Sequence, residues 1–281
     1  MRISKKEIEK IRKLIYRKTG IYYDDSRIHI LRKRVQNRIN KTSPTSFDAY
    51  YRTLVININN EIDYLIEELT VNESYFFREY NLWKNFSEKI LPLVLKTKRQ
   101  GGNYNLKLWS AGCATGEEAY TLSIVLREMI KDFEKWKIYI LASDIDRQVL
   151  EYAKRAIYSE RAIKDTPFIY LHRYFFSREG NKWQLNWIIK NMVDFQLINL
   201  FDSTLMGLQK NFDFIFCRNV LIYFDRQSIQ KVINFFYDSL NPGGYIFLGA
   251  SEFLNTMIED NKFEFVKFDD FICYKKPELI K

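Results

Sequence analysis

The sequence predicts an α/β protein in two parts: a small all-helical unit, then a doubly wound, mostly parallel sheet carrying a small antiparallel insert. Three observations point there. Residues 1–69 show helical periodicity only. From residue 105 onward, apolar strand runs alternate with amphipathic helices, the pattern of parallel strands covered on both faces. Between 172 and 195 that alternation gives way to an aromatic-rich stretch around the turn Arg178-Glu-Gly-Asn181.

In the first part, Ile8, Ile11, Leu14 and Ile15 form an apolar stripe, and Gly20 follows as a C-cap. Asp25 or Ser26 can cap a helix from Arg27 to about Asn40. In it Ile28, Leu31, Val35 and Ile39 share one face; Arg27, Arg34, Arg38 and Lys41 fall on another, with Arg32 and Lys33 beside it. Ser46 opens a third helix with Phe47, Tyr50, Tyr51 and Leu54, and Glu61 to Leu69 forms a fourth. After Val71, a helix from Glu79 to Lys98 turns Leu82, Phe86, Ile90 and Leu93 inward, and 99–103 is a loop. Strands follow at 105–110, 137–143, about 193–198, 212–217 and 245–249, with helices at 117–131, 146–156 and 226–240 and a turn at Asn241-Pro-Gly-Gly244. Strands at 263–268 and 271–275 close the chain as an antiparallel edge. The insert at 172–195 is either core padding or a surface for gripping a partner.

At 281 residues two domains are expected, 1–69 and 70–281, and 47% apolar residues are ample for both cores. The net charge of +9 is uneven. Residues 1–41 hold 14 Lys/Arg against 4 Asp/Glu, and the remaining 240 hold 30 against 31. A basic end of this kind meets nucleic acid, a membrane surface or an acidic protein, or is a solvated helix face. The start MRISKKEIEKIRK has no apolar signal region, and no apolar run approaches membrane-spanning length. Three widely spaced cysteines without a C-x-x-C pair point to a reducing cytoplasm and against disulfides or zinc. Two histidines, His29 and His172, leave a histidine metal site or triad without material, so no metal is expected.

The chemistry concentrates in four short motifs. Leu106 to Tyr120 reads strand, glycine turn (Gly112-x-x-x-Gly116) and helix, the nucleotide corner of a doubly wound sheet. Glu117 and Glu118 open that helix. Two carboxylates there repel a pyrophosphate, which wants N–H donors and positive potential, and suit a positively charged nucleoside such as S-adenosylmethionine. After the second strand, Asp144 is placed to accept ribose hydroxyls and is favoured over Asp146, which can cap the next helix. The 28 residues from Gly116 to Asp144 exceed the dinucleotide spacing of about 20. Arg218, Asn219 and Tyr223 follow the strand at 212–217, and Asn199 and Leu200 follow the one before, where open α/β sheets bind ligands. Upstream, Asn72, Ser74 and Arg78 surround an aromatic run.

In this order, NESYFFRE, WSAGCATGEEAY, ASDID and FDFIFCRNVLIYF closely resemble the CheR-type chemotaxis receptor methyltransferases over nearly the whole chain. The resemblance implies a Rossmann-like class I methyltransferase sheet with an N-terminal all-helical domain and an inserted antiparallel β-subdomain. It implies methyl transfer from S-adenosylmethionine to glutamate carboxylates of methyl-accepting receptors, for chemotactic adaptation. Asn72, Ser74, Arg78, Glu118, Asp144, Asn199, Leu200, Arg218 and Asn219 match the family's cofactor contacts; Arg78 and Tyr223 match residues near the methyl transfer. The basic helix with Arg34 and Arg38 resembles the one that docks on the receptor's helical bundle. The implied setting is a cytoplasmic monomer that associates with membrane-bound receptor arrays, without membrane insertion or nucleic acid. The hairpin turn Ser177 to Asn181 is short and lacks a Gly-x-Gly, which argues against a receptor C-terminal tether as partner. Asn37 and Asn40 stand where some relatives carry arginines, so a different receptor set is expected. Two other readings compete: an S-adenosylmethionine enzyme acting on nucleic acid, weakened by the absence of an N/D-P-P-Y motif, and a non-catalytic adaptor.

Overall fold

Helix α1 (Lys5–Thr19) begins at a capping box: the Glu7 N–H donates to Ser4 Oγ at 3.3 Å, and the Ser4 N–H donates to Glu7 Oε2 at 2.7 Å. It ends on Gly20 at φ 73°. The computed structural model describes residues 3–258, 262–268 and 271–278. Helix α2 (Ile28–Thr42) has no side-chain cap on its first residues; Asp24, rather than Asp25 or Ser26, accepts the Arg27 N–H at 2.9 Å. Helix α3 (Phe47–Val55) is capped by Ser46, and α4 (Glu61–Leu69) completes the bundle. Leu31, Val35 and Ile39 are buried against Ile8, Ile11, Ile15, Tyr50 and Leu65, while Ile28 is half-buried at the edge.

The long helix after residue 79 is one helical run with a wider turn inside it. Helix α5 (Tyr80–Asn85) passes through a π-helical segment, Phe86–Ile90, into α6 (Leu91–Gln100). The extra residue of a π turn rotates the buried face. Leu91 and Leu95 therefore face the core, and Leu93, expected inward, is 51% exposed.

The sheet domain then runs β1 (Asn105–Ala111), α7 (Glu117–Met129), β2 (Lys137–Asp144) and α8 (Arg147–Arg155). Next come β3 (Ile157–Ser159), α9 (Glu160–Ile163), α10 (Phe168–Tyr174), β4 (Phe175–Arg178), β5 (Lys182–Leu185), α11 (Trp187–Lys190) and β6 (Val193–Leu197). Helix α12 (Ser203–Gly207), β7 (Phe212–Cys217), α13 (Arg226–Ser239), β8 (Leu240–Leu248), α14 (Leu254–Met257), β9 (Glu264–Phe268) and β10 (Phe271–Lys275) complete it. Seven strands form the main sheet in the order β6-β2-β1-β7-β8-β10-β9. Within β6-β2-β1-β7-β8 every pairing is parallel, and β10 lies antiparallel between β8 and β9.

The insert is wider than 172–195. Its three-stranded sheet, β3-β5-β4, takes its first strand from Ile157–Ser159, and β6 belongs to the main sheet. Three residues are too few to show a strand period, so β3 is silent in the sequence. The Asn241-Pro-Gly-Gly244 run lies inside an irregular β8 and is not a free turn; it is held by Gly243 N–H to Lys276 O at 2.9 Å and Lys276 N–H to Gly244 O at 2.8 Å. Strand β7 is buried throughout, with Phe214 and Phe216 on one face of the sheet and Ile215 and Cys217 on the other. Trp83 stacks on Phe216 at 5.6 Å, and Phe216 on Phe247 at 4.3 Å, fixing α5 over the carboxyl ends of the central strands.

Candidate active site

Those carboxyl ends open onto a cleft lined by the turns after β1, β2, β6 and β7, by the connector 69–75, and by Thr19 and Ile21 of the helical domain. Asn72, Ser74, Arg78, Glu118, Asp144, Asn199, Leu200, Arg218, Asn219 and Tyr223 all line it. Five distant stretches of chain thus meet in one place.

The turn after β1 needs glycine. Gly112 has φ 76°, and a Cβ there would lie 2.4 Å from Val220 Cγ2. Gly116, at φ 92°, would meet the Ala153 Cβ at 2.9 Å. The Ala114 N–H donates to Asp144 Oδ2 at 2.9 Å, and the Asp146 N–H donates to Asp144 Oδ1 at 3.0 Å. Burial raises Asp144 to about 6, with those backbone donors opposing the rise. Asp146 caps α8 through the Gln148 and Val149 N–H groups, as its position suggested.

Arg218 carries the electrostatics of the far wall. Its side chain is 3% exposed, and its Nη1 lies 3.0 Å from Glu118 Oε2. Its Nη2 lies 3.2 Å from Glu79 Oε2 and donates to the Arg78 carbonyl at 3.0 Å. The guanidinium also sits 5.8 Å from the Trp83 ring centroid. Its Nε is buried with no partner among the described residues. Glu118 accepts the Ser110 hydroxyl on its other oxygen at 2.8 Å. Glu117 faces away from this pair; it is buried, and burial raises its carboxyl while hydroxyls of Thr115 and Ser74 oppose the rise.

Arg78 is presented by strained backbone. Phe77 and Glu79 on either side have φ 55° and 60°, a left-handed conformation costing about 1–3 kcal/mol per residue. The Trp83 indole N–H holds the Arg78 carbonyl at 2.9 Å, and the Phe77 ring stacks on Tyr170 at 5.5 Å. The Arg78 guanidinium itself makes one hydrogen bond, to the Glu73 carbonyl at 3.1 Å, over the Tyr75 ring.

Two amides of the cleft are engaged by the protein itself. Asn72 donates its amide to Asp146 Oδ2 at 2.9 Å and to Thr70 Oγ1 at 3.1 Å, tying the domain connector to α8. Asn199 donates to the Lys18 carbonyl at 2.6 Å and accepts the Phe201 N–H at 3.0 Å. Both line the cleft; the Asn72 amide ties the connector to α8, and the Asn199 amide bridges the sheet domain to α1. Leu200, 6% exposed, keeps its apolar role in the wall.

Arg34 and Arg38 lie outside the cleft, in a groove between α2 and α4. Both guanidinium groups are engaged by the protein itself. Arg34 donates to the Thr70 carbonyl at 3.0 Å and also to the Glu68 carbonyl, and Arg38 reaches Glu61 Oε2 at 2.5 Å and Oε1 at 3.1 Å. Helix α4 packs alongside α2 and presents carboxylate and carbonyl oxygens to that face. Lys33, Asn37 and His29 remain exposed.

Glu252 was not singled out from the sequence. It is 2% exposed, and its carboxylate accepts the N–H groups of Asn219, Leu221, Ile222 and Gly249. Its only sequence signal is an acidic residue just past the last parallel strand, at the binding end of the sheet.

A family model described as CheR methyltransferase, SAM binding domain, matches residues 72–272, and one described as CheR methyltransferase, all-alpha domain, matches residues 6–70. The chain belongs to the CheR methyltransferase family. It is 35% identical over 269 residues to chemotaxis protein methyltransferase 2 of Vibrio cholerae, covering 95% of this chain and 92% of that one. It is 32% identical over 252 residues to the chemotaxis protein methyltransferase of Borreliella burgdorferi, covering 89% of each, and 34% identical over 258 residues to that of Escherichia coli.

This CheR-family chain is therefore an S-adenosylmethionine-dependent methyltransferase of chemotaxis. Its cleft fits that ligand. Asp144 and Glu118 give acidic walls for a cationic nucleoside, and the orphaned Arg218 Nε is a donor suited to a carboxylate. Among the described residues no group of His, Cys, Asp and Glu is arranged to hold a metal, and no helix is long and apolar enough to cross a membrane.

Proposed function

We propose that this enzyme converts glutamate side chains of methyl-accepting chemotaxis receptors to methyl esters, as part of chemotactic adaptation. One observation carries the substrate class. The half-buried Tyr223 phenol is raised by burial; Arg34, Arg78 and Arg27 oppose the rise, and the Glu252 carboxylate adds to it. Three arginines against one carboxylate thus surround a phenol that can hydrogen-bond an incoming oxygen. An anionic nucleophile suits that place.

S-adenosylmethionine, when bound, supplies a methyl group made electrophilic by its sulfonium. Asp144 accepts its ribose hydroxyls, Leu200 packs its adenine, and Glu118 with Arg218 faces its amino-acid end. Ser74, Asn72, Asn199 and Asn219 shape the walls around it. A glutamate near pKa 4.3 is already ionised at neutral pH, so no general base is required. The task left to Arg78 and Tyr223 is to hold the carboxylate oxygen in line and keep water out. The groove at Lys33, Arg34, Asn37 and Arg38 takes the receptor's acidic helical bundle, speeding encounter and setting register. The enzyme works as a cytoplasmic monomer at membrane-bound receptor arrays, without a C-terminal receptor tether.

The test is incubation of the full chain with methyl-labelled S-adenosylmethionine and receptor-bearing membranes. Label on receptor that mild base releases as volatile methanol is expected. Base-stable label, or label on nucleic acid, would refute the reading.

A further inference from the structure

The loop Arg218–Tyr223 supplies four residues to the cleft lining, Arg218, Asn219, Val220 and Tyr223, yet it contains no regular ladder to hold it. Val220 is followed by a single 3-10 turn, Leu221–Tyr223, and Asn219 has φ 59°, a left-handed conformation. Backbone N–H groups in such a loop need acceptors. One side chain provides them. Glu252 Oε2 takes the Asn219 N–H at 2.8 Å and the Gly249 N–H at 2.7 Å, and Oε1 takes Leu221 at 2.8 Å and Ile222 at 3.3 Å. Each carboxylate oxygen thus receives two donors, which no neutral side chain reproduces.

We infer that Glu252 is the positioning residue of this methyltransferase: its buried carboxylate fixes the loop that aims Arg218, Asn219 and Tyr223 into the cleft. The sheet beneath is closed by the β7–β8 pairing, which runs through Cys217 and Leu248 without Glu252. Three of its four donors lie in the segment between that strand end and the cleft, and the fourth, Gly249, follows β8. Gly249 belongs to the same device. A Cβ at Gly249 would stand 2.7 Å from Glu252 Oε2 and 3.0 Å from the Asn219 nitrogen, so any side chain there displaces the carboxylate.

Glu252→Gln is the direct test. Whichever way the amide turns, its NH2 faces two backbone N–H donors, and the loop loses two of four anchors. Measured in the full chain, adenosylhomocysteine should bind about tenfold more weakly, and kcat should fall about 100-fold, the cost of a misplacement near 1 Å. Receptor KM should stay within about threefold, because none of the residues lining the docking groove is a hydrogen-bond partner of Glu252. Gly249→Ala should give the same split with Glu252 intact, and serves if Glu252→Gln fails to fold. Glu252→Asp, which keeps the charge, should recover part of kcat. Unchanged affinity and kcat in the folded variants would overturn the inference, as would a rise in KM equal to the fall in kcat. The role of Tyr223 here rests on the receptor-glutamate reading, but adenosylhomocysteine calorimetry does not. If wild-type enzyme esterifies no receptor, that reading fails while the calorimetric arm still decides Glu252.

Discussion

Arg218 and Glu118 form an ion pair at 3.0 Å that joins the end of β7 to the first turn of α7. It links the end of β7 to the helix that follows its sheet neighbour β1, with Arg218 almost wholly out of water. Removing one partner of such a pair leaves a buried charge, which costs about 3 kcal/mol or more. Glu118→Ala should therefore lower unfolding stability by about 3 kcal/mol in urea titration and also abolish measurable adenosylhomocysteine binding. Loss of binding with unchanged stability would mean that Glu79 alone suffices for Arg218.

Arg78 shows the opposite balance. Its guanidinium has one hydrogen bond, to a carbonyl, so truncation leaves no buried charge unpaired. Arg78→Ala should keep its melting temperature within a few degrees and lose on the order of 100-fold or more in kcat. Near-normal turnover would remove Arg78 from the mechanism.

Asp144 makes cofactor binding depend on pH. Its carboxyl, ordinarily near 3.9, is raised to about 6 by burial. A raised acid is protonated in the folded protein while still ionised in the unfolded chain. Its ionisation therefore costs folding stability as pH rises from about 4 to about 6, and the full cost is present above. Ribose hydroxyls favour the ionised form, so adenosylhomocysteine affinity should be flat above pH 7 and about tenfold weaker at pH 5, by calorimetry. Asp144→Asn should bind weakly and lose this slope. A retained slope would assign it to another group.

The basic helix divides into residues that dock and residues that hold. Arg38 is bidentate to Glu61, whose carboxylate also takes the Tyr50 hydroxyl at 3.1 Å. Arg38→Glu should melt the helical domain several degrees earlier, so its effect on receptor kinetics is not purely one of docking. Lys33→Glu, at an exposed position, should raise receptor KM several-fold with adenosylhomocysteine affinity unchanged. Unaltered receptor kinetics for Lys33→Glu would make that face an ordinary solvated surface.

Periodicity located the helices of the bundle, the alternating sheet elements and the strand ends where ligands bind, because each rests on contacts within a few residues. The glycine turn at 112–116 was legible for the same reason: its φ values and the acidic helix start are local. The phase of α6 was not, since a π turn leaves no mark in residue types, and Leu93 was misplaced by it. Nor was the pairing of Ile157–Ser159 with a strand some 25 residues on.

Sequence by itself determined the fold class, the four motifs and, through them, the family. Only the tertiary structure decided how the side chains are used. Asn72, Asn199, Arg34 and Arg38 appear in the sequence as polar groups open to a ligand or partner, and each is turned inward by an oxygen or N–H that arrives from far along the chain. Glu252 is the converse, an anonymous acid made important by four backbone donors from two loops. Hydrogen bonds are short-ranged and directional, so their partners exist only after strands distant in sequence have been brought side by side.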